Sequence, residues 1–535
     1  MNDTASVVLL GATTSWLLYK LARALHARSK AVKLKGPKAT SWLFGLTRET
    51  SFQADDFGGL AYETWAKEYG SVYNAPGAFG SRRFILFDPK AISYFYSRET
   101  WTFVQSSFAK KAIASIAGRN LLSAEGESHK RQRRALAPAF TAASLRSLTP
   151  VFFDSAYKAK AAWDSIIEGS NTPSEAVIDV QKWMNCVSFD TIGAAGFGHE
   201  FGSLEGHQSD VKDVFELFGV SPPQGLSLIL PLLAPVLPLL QMIPNERKRL
   251  NRRLNDAMAA ISAVLLQRSR KEKELGASEL GRTMMGTLSK AENPDAQFML
   301  TEDEVTSQMK LLLLAGYETT AISLTWALIE LALHPDKQER LRAELAPFTS
   351  KDPTYDQLTN SLPYLDSILR EVLRTHPPVP ALARVAGVDE VVPLSAPITS
   401  ESGQLLDSVP VPKGSIVVIP IRAINRSTEI WGDNAKEFVP ERWLEAENGL
   451  TPGAKQIQGY HHLLTFSDGP RICLGRGFAV SEFKSVLSVL IRNFSFEMVD
   501  GPKTGIENVM TILPRPRVKG QSGYAMPMRV RRLEG

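Results

Sequence analysis

The stretch Phe466-Ser467-Asp468-Gly469-Pro470-Arg471-Ile472-Cys473-Leu474-Gly475-Arg476-Gly477-Phe478-Ala479 decides how the chain is read. It sets one cysteine among Gly469, Pro470, Gly475 and Gly477, residues that permit tight turning and close backbone approach, just ahead of an apolar helical run. A structural cysteine usually lies on the apolar face of a helix or strand; here the backbone makes room for something flat and large. Only Cys473 and Cys186 occur in the chain, so neither a four-cysteine zinc site nor a disulfide framework can be assembled. A single thiolate with open space opposite suits a metal held through sulfur, and haem iron better than zinc. The plainer alternative is an inert buried cysteine in a glycine-rich turn.

Working outward, Thr301-Glu302-Asp303-Glu304 is a capping box, and the apolar-rich run after it continues to His334, where Pro335 stops it. That spacing predicts one helix of about 30 residues and roughly 45 Å, long enough to cross a whole domain. Inside it Ala315 and Thr319 share a face one turn apart, and Gly316 leaves out a side chain beside them. The expectation is a groove where a ligand lies against the helix backbone. A buried-helix threonine, however, most often bonds back to a carbonyl and does nothing else. Glu371 and Arg374 face the same way at i and i+3 on a helix stopped by Pro377 and Pro378, and Phe438-Val439-Pro440-Glu441-Arg442-Trp443 offers another guanidinium.

These blocks resemble the cytochrome P450 family. Phe466, Gly469, Arg471, Cys473, Gly475 and Ala479 stand where its haem-binding signature has its defining residues, and Ala315-Gly316-Tyr317-Glu318-Thr319-Thr320 resembles its oxygen-activation motif. The resemblance implies a mainly α fold with small β-sheets, the cytochrome P450 fold, holding haem b (iron protoporphyrin IX) with Cys473 as axial thiolate ligand. In such proteins the sulfur pushes electron density toward O–O cleavage. The resemblance further implies that Ala315, Phe466 and Gly475 border the haem, that Thr319 hydrogen-bonds the activated dioxygen, and that Glu318 belongs to the proton-delivery route. Splitting the O–O bond consumes protons, which must arrive while bulk water is kept out. Glu371, Arg374 and Arg442 resemble the family's Glu-Arg-Arg triad, implied to be structural: burial of such a group costs desolvation but imposes one geometry. Two haem propionates need cationic or hydrogen-bonding partners, and His129, Arg133, Arg384 and Arg471 stand at family positions. The family more often carries Trp where His129 stands, and an imidazole still donates to a carboxylate.

From Ala5 to Tyr19 the chain is apolar and uncharged, and Leu21, Ala22, Ala24 and Leu25 extend it while Lys20 and Arg23 snorkel; a span needs about 20 residues. Asp3 is the only early charge, and Lys20, Arg23, Arg28, Lys30, Lys33 and Lys35 follow. A cleaved signal peptide would start positive. The expectation is a retained N-terminal transmembrane helix over residues 1–30 in the endoplasmic reticulum, with residues 31–535 as one catalytic domain in the cytosol. The segment from Gly219 to Pro244 is also apolar, but Pro231, Pro235 and Pro238 break a continuous span. In the family it lies over the substrate entrance and often dips into the bilayer; burial inside the domain is the alternative.

Across 535 residues no Pro/Gly/Ser-rich linker separates the motifs, and a formal charge of +5 with scattered basic residues gives no case for nucleic acid. Two cysteines point to a reducing compartment. Asp190 and Cys186 read as helix-packing residues, and Arg83–Phe87 and Ser415–Ile419 as short strands. No Gly-x-Gly-x-x-Gly follows a strand, so electrons come from outside. Resemblance to membrane-anchored, fungal-like members implies an NADPH-cytochrome P450 reductase, docked on Lys130, Arg131, Arg134, Arg476 and Lys484, the first three otherwise a solvated helix face. The pocket is expected near Phe103 to Ile116, Gly219 to Pro244, Ala315, Thr319, Val379 to Ala383 and Met510 to Leu513, mostly apolar. That predicts a small lipid-like or terpenoid substrate; the resemblance to fungal-like members further implies oxidation with O2, as in secondary metabolism or the breakdown of xenobiotics. Two rivals stay open: a reductase-independent haem-thiolate isomerase or dehydratase, whose members tend to lack the acid-threonine pair, and a haem-binding membrane protein without turnover.

Overall fold

Thr301 starts the longest helix as its capping box predicts: Glu304 N donates to Thr301 Oγ1 at 3.2 Å, and Thr301 N donates to Glu304 Oε2 at 3.1 Å. Glu302, Asp303 and Glu304 in the first turn also oppose the positive end of the helix dipole. His334 caps the far end, and Pro335 opens the next helix at its first position, where the missing N–H is harmless. The helix, Glu302–Leu333, has 32 residues, about 48 Å at the usual rise.

The computed structural model describes residues 33–46, 49–50, 59–172, 174–207, 245–274, 284–293, 295–444 and 449–533, with single positions between 11 and 19 and between 211 and 217. The expected anchor over residues 1–30, apart from Gly11, Thr14, Ser15, Trp16 and Tyr19, and the 219–244 segment lie outside the described residues. Among the described residues one helix is long and apolar enough to cross a membrane, Glu302–Leu333, and its apolar window is 72% buried, which makes it a core helix.

The helices that build the site are α1 (Pro89–Ser97), α2 (Gly126–Leu136), α3 (Val180–Phe197), α4 (Glu302–Leu333), α5 (Pro363–Thr375) and α6 (Arg476–Asn493). The strands among the described residues are β1 (Val72–Pro76), β2 (Arg82–Leu86), β3 (Phe103–Val104), β4 (Glu175–Asp179), β5 (Leu382–Ala386), β6 (Glu390–Thr399), β7 (Leu405–Val411), β8 (Ile416–Ile419), β9 (Phe494–Met498), β10 (Ile506–Met510), β11 (Pro514–Val518) and β12 (Pro527–Arg532). They form a sheet in the order β1-β2-β8-β5-β3, a second in the order β4-β12-β9, and the hairpins β6-β7 and β10-β11. Both expected strands are present, as β2 and β8, and they pair in parallel with Arg83 opposite Ile416 and Ile85 opposite Val418. β5 then sets Arg384 opposite Val417, and β3 sets Phe103 opposite Ala386. A mainly helical fold with small sheets is what results.

Two apolar cores share the long helix. Val305, Met309, Leu313 and Tyr317 of α4 pack into one, while Ala321, Leu324, Leu328 and Leu331 pack into the other. α6 divides in the same way, with Phe478 in the first and Phe483, Leu487 and Ile491 in the second. Residues 315–319 and the Cys473 loop therefore meet the seam between the cores.

Candidate active site

The Cys473 loop is held by its own backbone. Cys473 N donates to Phe466 O at 2.8 Å, Ile472 N to Gly469 O at 3.1 Å, and Ser467 N to Leu464 O at 2.8 Å. Gly469 is required twice over: its φ is +63°, and a Cβ there would stand 2.4 Å from Tyr96 O. Cys473 is exposed by surface area, yet burial pushes its thiol up, against the backbone N–H groups of Gly475 and Arg476 and the charges of Arg133 and Arg476. An opening enclosed by protein reconciles the two facts. A sulfur there faces a chamber and not bulk water.

Ala315 is exposed in the middle of a helix whose flanking residues are largely buried, and Thr319, one turn on, is half-buried. Thr319 Oγ1 donates to Ala315 O at 2.8 Å, the back-bond the plainer account expects, which leaves its lone pairs turned outward. Gly316 does not open that face to a ligand. A Cβ there would come 2.8 Å from both Cδ1 and Cγ1 of Ile192 on α3, so the missing side chain serves helix packing. Glu318 is turned away from Ala315's face and is 1% exposed. Its Oε1 accepts from Thr511 Oγ1 at 3.0 Å, Leu513 N at 3.2 Å and Arg515 Nη2 at 3.3 Å, at the tip and first strand beyond the tip of the β10-β11 hairpin. Its Oε2 is buried without a hydrogen-bond partner among the described residues.

Four of the expected residues converge in a cationic cluster. Arg384 is buried on β5, Arg471 leaves the cysteine loop, and His129 and Arg133 lie one turn apart on α2. Burial, then Arg471, Arg133 and Arg384, pushes His129 down to about 4, so it is a neutral donor at ordinary pH. Burial also lowers Arg133, which Cys473 opposes. The Nε groups of Arg384 and Arg471 are buried without hydrogen-bond partners among the described residues. Of the other expected pocket residues, Val379, Ala381 and Ala383 are exposed, whereas Phe103 is fully buried in its sheet.

The cytochrome P450 family model matches residues 35–520. Cytochrome P450 monooxygenase claP of Ampulloclitocybe clavipes is 52% identical over 98% of this chain and 98% of its own. The claQ protein of the same organism is 52% identical over 97% and 96%, and cytochrome P450 monooxygenase 205 of Postia placenta is 32% identical over 94% and 93%. The chain belongs to the cytochrome P450 family. Its enzyme class is that of the P450 monooxygenases, and the family implies a haem-thiolate cofactor, O2, a redox partner and apolar substrates.

The residues present fit a P450 haem: one lone thiol at an enclosed opening, and beside it a cationic cluster in which Arg471 Nε is buried without a hydrogen-bond partner among the described residues and Arg384 Nε meets only the carboxyl of Glu99, at 2.8 Å. The P450 triad is also assembled. Glu371 takes Arg374 Nη2 at 2.8 Å and Nε at 2.9 Å, Arg442 Nε at 3.0 Å, and also Val439 N and Trp443 Nε1, both at 2.9 Å. Burial alone would raise this carboxyl; Arg374 and Arg442 outweigh it and hold it below the ordinary value. Arg374 Nη1 donates to Asn425 O at 2.8 Å, Asn425 Nδ2 to Thr465 Oγ1 at 2.9 Å, and Thr465 Oγ1 to Leu373 O at 2.7 Å. Thr465 adjoins Phe466, whose carbonyl holds Cys473, so the triad is wired to the cysteine loop.

One docking residue fails on the P450 surface. Lys484 is 2% exposed, 2.7 Å from Asp366 and donating to Leu358 O, because it lies on the inner face of α6. Arg131 is clamped on Glu304 at 2.9 and 2.5 Å, which ties α2 to the start of α4. Lys130 and Arg134 remain exposed. Asp190 does more than pack: it caps Ser203 N at 3.0 Å and Leu204 N at 2.9 Å. Sequence reading missed Trp443 as a triad partner and Arg515 as Glu318's partner. The Trp next to Arg442 was the available signal for the first; nothing local marked the second.

Proposed function

We propose that the chain is a haem-thiolate monooxygenase that inserts one atom of O2 into a small apolar substrate, lipid-like, terpenoid or xenobiotic. The other atom leaves as water, and two electrons come from NADPH through an NADPH-cytochrome P450 reductase. Residues 1–30 anchor the chain in the endoplasmic reticulum membrane, and residues 31–535 form the catalytic domain on the cytosolic side. Cys473 carries the reading, as a lone thiol on the wall of an enclosed opening, faced by Arg133 and Arg476.

In this reading Cys473 Sγ would hold the haem iron, Ala315, Phe466 and Gly475 would border the haem, and His129, Arg133, Arg384 and Arg471 would take its propionates. The bound haem supplies O2 reduction, its thiolate favouring O–O cleavage. The chain supplies protons and keeps water out. Thr319 Oγ1 gives up its bond to Ala315 O, worth about 1 kcal/mol, and turns its hydrogen into the chamber. Thr511, Leu513 N and Arg515 fix Glu318 Oε1, which leaves Oε2 as the atom that would relay protons toward the chamber. Because Thr511 to Leu513 is also expected to line the substrate chamber, substrate contact and the acid's position are mechanically joined. Glu371, Arg374 and Arg442 act as scaffold. Lys130, Arg134 and Arg476 steer the reductase. The acid-threonine pair supports oxygen activation over a reductase-independent isomerase or dehydratase.

A carbon monoxide difference spectrum of the reduced protein tests this, beside Cys473→Ala. The wild type should give the long-wavelength Soret band of thiolate ligation and the variant should lose it. A wild type that stays colourless with hemin, or a variant with an unaltered band, would overturn the assignment.

A further inference from the structure

Two acids enter the cationic cluster that the cofactor reading does not use. Glu125, just before α2, is well provided: its Oε1 accepts from Gln105 N at 2.6 Å and its Oε2 from Arg471 Nη2 at 2.5 Å, with Lys110 at 3.7 Å. Glu99, just past α1, is fully buried. Its Oε1 lies 2.8 Å from Arg384 Nε, yet the pair is not aligned as a hydrogen bond, and neither oxygen of Glu99 has a hydrogen-bond partner among the described residues. The groups facing it are Arg384 from β5, Arg471 from the cysteine loop, Glu125, and Tyr96 of α1, which itself faces Asp468.

Glu125 keeps Arg471 and Lys110 as counter-ions, whereas among the described residues Arg384 is the one cation within ion-pair distance of Glu99. Two haem carboxylates compete with Glu99 for Arg384, and a buried carboxylate that loses its counter-ion takes a proton. Of the two acids Glu99 loses less by neutralisation, because its one close partner is the arginine the haem carboxylates take, whereas Glu125 keeps Gln105 N, Arg471 and Lys110. Burial already pushes Glu99 up to about 7, against Arg384 and Arg471.

Resting on the haem reading above, we propose that Glu99 is a proton-taking counter-ion of the cofactor site: it pairs with Arg384 in the absence of haem and gains a proton as the haem carboxylates take that arginine. Haem retention then weakens as pH rises, because the proton that accompanies binding becomes scarce.

The test is haem transfer from the full-length holoprotein to a scavenging apoglobin between about pH 6 and about pH 9. Wild-type retention should fall by up to about tenfold per unit above about pH 7, and Glu99→Gln should lose that one-proton slope while still binding haem. Haem dimethyl ester, which brings no carboxylates, should also abolish the slope in the wild type, a measurement that needs no variant. Equal slopes for haem and its ester, or for wild type and Glu99→Gln, overturn the assignment of Glu99. Failure of the wild type to take up haem at all would instead sink the haem-thiolate reading.

Discussion

At the scale of single residues, one buried acid separates packing from chemistry. Glu482 on α6 is fully buried, facing the hydroxyls of Ser188 and Thr320 without a well-formed bond to either. Burial pushes its carboxyl from 4.5 up to about 8. The folded chain therefore keeps a proton that the unfolded chain has lost, and stability falls as pH rises from about 4.5 toward about 8. Glu482→Gln should raise the unfolding free energy at pH 8 by on the order of 2 kcal/mol, with the gain shrinking as pH is lowered to about 5. Thermal unfolding of both proteins across that range checks it, and a gain independent of pH would refute the protonated carboxyl. Neither Glu482 nor Glu99 is marked in the sequence as unusual, because each owes its state to neighbours on other elements. Cys473 was legible, since its glycines are contiguous with it.

At the scale of elements, the α3–α4 contact decides what Gly316 is for. Gly316→Val should destabilise the fold by about 1–3 kcal/mol through overpacking on Ile192, and Ile192→Ala should restore much of the loss in the double variant. Unchanged stability together with lost substrate binding would reinstate a ligand groove. The long helix itself was readable to the residue, because its capping box and proline stop are local signals. The part of Gly316 was misread because Ile192, the side chain packed on it, comes from a distant part of the chain. The triad pair on α5 was legible as an i, i+3 spacing; the indole of Trp443 and the N–H of Val439 that complete Glu371's shell are tertiary gifts that no spacing reveals. Lys484 was misplaced for the same reason, as helix periodicity shows a charge but not the Asp366 waiting on the neighbouring helix.

At the scale of the molecule, the two apolar cores communicate through α4 and α6. Haem contacts from Arg384 and Arg471 on one side and Ala315 on the other would stitch them together. Calorimetry of the haem-loaded protein should therefore show one cooperative transition and the haem-free full chain two. A single transition in both states would mean that the shared helices alone couple the halves. The seam has a further consequence for how such a protein changes over generations. Val379, Ala381 and Ala383 are exposed and belong to neither apolar cluster, so exchanges there leave both cores whole. If these side chains line the substrate chamber as proposed, selectivity can drift there, one volume-altering replacement at a time, while the architecture that carries the reactive centre is left untouched.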